Sequence, residues 1–296
     1  MNEISDQVDD LLKRDLDRDE LCLKLWLTIC HSDQDQNIVE SQTVNRILAL
    51  YEQEQSAAAA RHTGDISNRF PDTRMQAAHI LGGFIANTDI SEDIRRTATV
   101  TLGSIANRLN QDLTTYESQI DENPNVRDIL SIFAMLKNGV YPQVSSCIEP
   151  IAMKTKSPQI TYESLKLLLQ TNDDYSADIL DKVLDHKQDY DTQKIEAIAN
   201  AVSHVEDMSP RALQIVTDYF NTALPKEIHK LEKSIQKFQG LGKMASAFST
   251  VGAITRDDAA SVIRTGRKAM QNIQELSSKS DIFDTSHVAE DDAPKQ

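Results

Sequence analysis

Residues that stop a helix are rare in this chain. Only 9 glycines and 8 prolines are spread over 296 positions, against ordinary usage of roughly 7% and 5%. Between them, apolar side chains return at intervals of three and four, the spacing that gathers them on one face of an α-helix. Aromatic residues make up 5%, and the apolar positions are filled mainly by Ala, Leu and Ile, which suit helices packed closely on helices. The pattern predicts an all-α protein, long enough to bury a large core in one or two domains.

The periodicity divides into successive segments. Ile4 to Leu16 comes first, then Asp19 to Cys30, where Leu21, Leu23, Leu25, Trp26 and Ile29 make a broad apolar face. His31 to Asn37 is polar and reads as a loop. Val39 to Ala60 is expected to form one helix carrying Val44, Ile47, Leu48 and Tyr51, with Arg61 to Pro71 as the next connection. Eight further helices are expected at Thr73 to Asn87, Glu92 to Leu109, Val126 to Asn138, Pro142 to Lys154, Gln159 to Gln170, Ser176 to Asp185, Asp191 to Val205 and Pro210 to Thr222. The short polar breaks between them imply antiparallel neighbours. Asp72, Ser91, Ser157 and Ser209 stand where N-caps belong, the last two followed by Pro158 and Pro210 at the first helical position.

Two of these segments share a phrase. Thr73 to Leu81 and Ile94 to Leu102 each read as a branched residue, Arg, two spacers, Ala, three spacers and Leu. Gly82 and Gly103 follow directly, and then Ile85-Ala86 and Ile105-Ala106; Val126-Arg127 opens a third copy and departs from it. The phrase resembles the second helix of HEAT-like and armadillo-type repeats, most clearly over Asp72 to Phe133. The resemblance implies an irregular α-solenoid in which Arg74 and Arg95 are met by an acid at the preceding turn, a role that falls to Asp72 and Asp93. It also implies that Ala77 and Ala98, with Leu81 and Leu102, receive a neighbouring helix. Ile94 stands 21 residues after Thr73, short of a helix pair of about 40. The copies therefore mark successive single helices or a degenerate repeat, and an irregular helical bundle is the other arrangement the pattern allows.

Charge is divided unevenly along the chain. Residues 1–225 hold 20 Lys and Arg against 36 Asp and Glu, residues 226–279 hold 10 against 5, and the whole carries −15. A basic helical segment attached to an acidic body predicts docking, on that body or on something else. Lys226, Lys230, Lys233 and Lys237 fall on one helical face, and Phe238, Leu241, Met244, Phe248 and Val251 continue as an apolar stripe backed by small uncharged residues. That division suits an interfacial helix entering loosely packed lipid, with the lysines drawn to anionic head groups. It suits equally an end cap packed on the last helices, or a contact with a partner protein. Arg264, Arg267 and Lys268 form a second basic cluster on a helix expected from Asp257 to Leu276, where a solvated face is the default. Residues 280–296 are polar and acidic and are expected to be disordered.

No motif in the sequence assembles a catalytic or metal site. Asp33 to Asn37 imitates the start of a calcium loop, but Ile38 replaces the required Gly and Val44 the bidentate Glu. Seven histidines are scattered without paired ligand spacing. Ser234 and Lys237 match S-x-x-K without its companion motifs, and Gly240 to Lys243 lacks the spacing of a phosphate loop. We expect no cofactor and no metal. Tyr162, Tyr175, Tyr190 and Tyr219 fall near helix ends, where they serve packing or partner binding. Cys22, Cys30 and Cys147 are odd in number, the start lacks a secretory pattern, and no apolar run reaches a membrane span, so a reduced, cytoplasmic setting is expected.

These readings give four regions: N-terminal helices at 1–61, an acidic repeat body at 62–225, the basic amphipathic segment at 226–279 and the tail. The function expected is a non-catalytic scaffold or adaptor that receives a protein partner with a basic or helical binding element. The alternatives are a peripheral membrane protein held through residues 226–254, and an enzyme with an unfamiliar all-helical site. Acidity excludes the body as a nucleic-acid binder, because phosphates require a basic face.

Overall fold

The computed structural model describes residues 3–30, 41–114, 123–170, 174–185, 192–206, 208–222, 229, 261 and 263–278. Regular structure among them is helical throughout, with no strand, so the all-α expectation holds. The chain divides into two compact units, Met1–Lys154 and Thr155–Gln296. The boundary expected at residue 61 falls inside a helix.

The first unit is built from α1 (Glu3–Leu12), α2 (Arg18–Cys30), α3 (Ser41–Glu54), α4 (Ala57–Arg69), α5 (Arg74–Ala86), α6 (Glu92–Thr114), α7 (Pro124–Leu136) and α8 (Gln143–Lys154). Each of α1 to α6 packs on the helix that follows it. From α2 onward, helices two steps apart also touch: α2 on α4, α4 on α6 and α6 on α8, with α3 on α5 and α5 on α7. Even-numbered helices thus form one row and odd-numbered helices a second. Polar contacts give the directions. Arg74 at the start of α5 pairs with Asp112 near the end of α6 at 2.6 Å, and Arg95 at the start of α6 donates to the Ile85 carbonyl near the end of α5 at 3.0 Å. The two copies of the shared phrase are therefore successive antiparallel helices.

Helix α6 touches α4, α5, α7 and α8. A helix can meet four neighbours closely only if its own side chains leave room, and Ala98, Gly103 and Ala106 supply it. A Cβ on Gly103 would overlap the Cys147 side chain of α8, and one on Gly64 of α4 would overlap Thr101 of α6. Gly82 of α5 likewise admits the Met135 Sδ of α7, which would lie 2.7 Å from an added Cβ. Thr99, fully buried, completes the junction. Its hydroxyl donates to Arg95 O at 2.8 Å and accepts from Val140 N at 3.2 Å, while the Cys147 thiol donates to its carbonyl at 3.7 Å. Ala77, Leu81, Ala98 and Leu102 are all fully buried.

The structure corrects four local expectations. Val39 to Ala60 is not one helix: α3 stops at Glu54, Gln55 takes a left-handed φ of 46°, and Ser56 opens α4 by accepting from Ala59 N at 3.1 Å. The segment Arg61 to Pro71, expected as a connection, is mostly α4, whose Gly64 serves a helix crossing rather than a break. Asp72 is not a helix cap. It sits in a 3-10 turn, Pro71–Thr73, and α5 begins after Thr73 without a side-chain cap. Nor do Asp72 and Asp93 hold the phrase arginines. Arg74 uses the distant Asp112, and Arg95 spans the Ile85 and Asn138 carbonyls at 3.0 and 3.3 Å, satisfying backbone acceptors where α5 and α7 end. Arg127 is exposed. Ser91, Ser157 and Ser209 do cap their helices, accepting from Ile94, Ile160 and Ala212 N.

The second unit contains α9 (Pro158–Leu169), α10 (Asp174–Val183), α11 (Thr192–Ser203), α12 (residues 210–222) and α13 (residues 261 and 263–278). Helix α9 packs on α10 and α11. Its Leu165, Leu167, Leu168 and Leu169 are buried, as are Ile179, Leu180, Ile198, Val202, Val216 and Phe220 of the later helices. Arg211 ties α12 to Asp178 and, at 3.7 Å, to Asp174 of α10.

The glycine crossings make a paired test. Gly103→Ala should lower unfolding free energy by about 1 to 3 kcal/mol through overpacking against Cys147. Gly83→Ala, on the exposed face of α5 with nothing within 4 Å of the new methyl, should raise it by up to about 1 kcal/mol through helix propensity. Urea unfolding of both variants reads the contrast; equal effects of one sign would discount the crossings.

Candidate functional site

Concave sites of the second unit fall on opposite kinds of surface. The first lies between α10 and α12 and encloses about 460 Å³. Asp181 and Lys182 come from the last turn of α10, Asp185 from the residues just past its end, and Asp218 from α12. Buried Leu184 and Tyr219, with half-buried Ile215, line the same groove. Tyr219 packs edge-on against Phe220 at 5.3 Å between ring centroids. The result is an apolar floor whose margin carries three Asp and one Lys, beside a helix whose Asp174, Asp178 and Asp181 recur at intervals of four and three along one face.

The other lies between the C-terminal end of α11 and α13 and encloses about 440 Å³, and every side chain that lines it is polar or charged. Helix α13 is held there by its own chemistry. Ala269, Ile273 and Leu276 are buried at helical spacing. Asn272 donates through one amide nitrogen to both the Val202 carbonyl at 2.8 Å, which also accepts from Val205 N at 3.5 Å, and the Val205 carbonyl at 3.0 Å, just past the end of α11. Ser261 donates to Glu196 of α11 at 2.5 Å. These contacts aim Arg264 and Lys268, one turn apart, along the cleft wall, while the equally exposed Arg267 lies outside it. Nothing in the sequence marked Asn272, and the sequence alone could not sort Arg264 and Lys268 from Arg267. That division depends on which side of α13 meets α11.

Across the cleft stands His204, just after α11. Its Nδ1 lies 2.8 Å from the Asn200 carbonyl. A carbonyl only accepts, so this contact puts a proton on Nδ1, which also lies 3.2 Å from Ser203 Oγ, and in the neutral ring Nε2 is then the acceptor on the other edge. Farther along, Gln271 donates to Glu275 at 3.2 Å.

The remaining sequence candidates fall as follows. Lys226, Lys230, Lys233, Lys237, Phe238, Leu241, Met244, Phe248 and Val251 lie outside the described residues, and so do Tyr190, the Asp33 run and the tail. Of the tyrosines, Tyr219 is core, Tyr175 is 40% exposed, and Tyr162 carries the Lys166 ammonium 5.6 Å from its ring centre. Among the described residues, no group of three or more His, Cys, Asp or Glu is placed to hold a metal ion, and no helix is long and apolar enough to cross a membrane. Cys22 and Cys147 are buried free thiols, and burial pushes both up from 9.0 to about 11, partly offset by hydrogen bonds from Ser56 and Ser146.

No protein-family model matches the chain, and no curated protein matches it. One solved structure, described as "Computational Design of Self-Assembling Cyclic Protein Homooligomers", is similar at 14% identity over 93% of this chain and 98% of that chain, with a TM-score of 0.23. So distant a superposition carries no argument about fold or task.

The α11–α13 junction is open to test. Asn272→Ala should lower stability by roughly 1 to 3 kcal/mol by removing its hydrogen bonds to the Val202 and Val205 carbonyls, and Asn272→Asp should cost more because a carboxylate would face them. Hydrogen exchange of residues 263–278 checks that the loss is local to α13. The thiols give a second test. Their folded values lie above the unfolded one, so protonation favours the fold; stability should hold below pH 9.0 and decline as pH climbs through about 11. At neutral pH, iodoacetamide should label Cys22 and Cys147 only in denaturant, which peptide mapping detects.

Proposed function

We propose that this chain is a non-catalytic interaction scaffold, an irregular α-solenoid of HEAT-like type whose acidic face receives a basic amphipathic helix. The groove between α10 and α12 carries the reading. Half-buried Ile215, lying over buried Leu184 and Tyr219, offers an apolar contact for the oily side of a helix, and Asp181, Asp185 and Asp218, which outnumber Lys182 around it, stand where flanking Lys or Arg side chains would reach. A net charge of −15 adds long-range attraction for such a partner and repels anionic ones. The ladder of contacts between helices one and two steps apart supports the solenoid, as does the run of Arg74, Ala77 and Leu81 repeated in Arg95, Ala98 and Leu102. The cytoplasm is the setting this reading fits.

A direct probe is a fluorescent synthetic helix with Leu on one face and Lys on its flanks, titrated against the full chain. Binding should weaken as salt rises, and replacing Asp181, Asp185 and Asp218 together by Asn should weaken it by about tenfold or more. The same peptide with Glu in place of Lys should not bind. Equal binding of the Lys and Glu peptides, or an unchanged affinity in the triple variant, would remove the groove from the function.

A further inference from the structure

The cleft between α11 and α13 is built differently from the acidic groove, and its use does not rest on the scaffold reading. Its lining is wholly polar, so a ligand gains little there from burying apolar surface and must be recognised through hydrogen bonds and charge. Along α13 the groups are graded. Arg264 and Lys268 stand toward one end, Gln271 and Glu275 toward the other, at intervals of four, three and four, so all four share a helical face. From Arg264 to Glu275 is about 16 Å of helix.

We propose that this cleft binds a small phosphorylated polyol. At the Arg264–Lys268 end, a planar guanidinium fork and a mobile ammonium line the cleft from successive turns. A carboxylate is satisfied by the Arg alone, whereas a phosphoryl group has three terminal oxygens and takes both cations at once. At the opposite end the chemistry reverses. Glu275 offers carboxylate oxygens, His204 offers Nε2, and Asn272, with its amide nitrogen committed to α11, offers its carbonyl oxygen. Acceptors grouped in this way call for hydroxyl donors. They would repel a second anionic group, which argues against a continuous polyphosphate or nucleic-acid backbone as occupant. The volume of about 440 Å³ lies within the range of small-molecule sites. A sugar phosphate or an inositol phosphate has the required polarity, phosphate at one end and hydroxyls at the other; the second of these occurs free and as a lipid head group.

Calorimetry on the full chain with myo-inositol monophosphate and with inorganic phosphate tests the assignment. The inositol compound should bind saturably and about tenfold or more tighter than phosphate. Arg264→Gln and Lys268→Gln should each weaken it about tenfold or more, and Arg267→Gln, an equal loss of charge one residue away from the cleft, should stay within about twofold. Glu275→Gln should weaken the inositol compound while leaving inorganic phosphate unchanged, which separates recognition of the hydroxyls from recognition of the anion. Co-sedimentation with phosphatidylcholine vesicles, with and without a phosphatidylinositol phosphate, distinguishes the sources: lipid-dependent capture assigns the head group, and its absence beside tight soluble binding assigns the free compound. The assignment is overturned if no saturable binding occurs, if Arg267→Gln loses as much as Arg264→Gln, or if inositol monophosphate and inorganic phosphate bind alike. Since all four substituted side chains are exposed, unchanged thermal midpoints of the variants keep these outcomes readable.

Discussion

Close backbone approach at helix α6 is the constraint on which the first unit depends. Hydrophobic burial alone would join helices at many distances, but α6 must serve four neighbours with one surface. Glycine at the crossings resolves this. Gly103 takes the Cys147 side chain and Gly64 takes Thr101, so α4 and α8 both settle against the same helix. Once the rods are that close, polar groups at their ends fall within hydrogen-bond range, and Arg95 can reach a carbonyl in the last turn of α5 and another just past α7 at once. Packing comes first in this hierarchy, and the specific polar contacts follow from it.

The same logic, with different chemistry, holds α13 to α11. A short buried stripe, Ala269, Ile273 and Leu276, provides attraction without direction. Asn272 provides the direction, because its amide finds two backbone acceptors only in one register. That register decides which basic residues face the cleft and which face solvent. A surface of scattered positive charge thereby becomes a graded wall, cationic at one end and carboxylate at the other.

Much of the helical architecture was legible in the sequence, for identifiable reasons. From Thr73 to Thr222 each expected helix has a counterpart, because Ser91, Ser157 and Ser209 are local signals that act within three residues of themselves. The break between α3 and α4 was not legible. It is made by Gln55 and Ser56, without glycine or proline, and the run Ala57 to Ala60 continues the helical pattern past it. Gly64 misled in the opposite sense, since a glycine that admits a neighbouring helix looks the same as one that ends its own. The partners of the phrase arginines were also hidden. Asp112 lies 38 positions from Arg74, and the acceptors of Arg95 are backbone carbonyls, which sequence does not distinguish. The cleft was only half visible: its cations could be seen as a cluster, while His204 and Asn272 gain their roles from tertiary placement.

The ladder of contacts in the first unit has a kinetic consequence. Because the main packing joins each helix to those one or two places away, few long loops must close before stabilising contacts form, and the entropic barrier to folding is correspondingly low. Such a chain can start to order at several points and spread outward, with no single obligatory nucleus. As it emerges from the ribosome, each new hairpin of helices would find its docking surface already made by the hairpin before it.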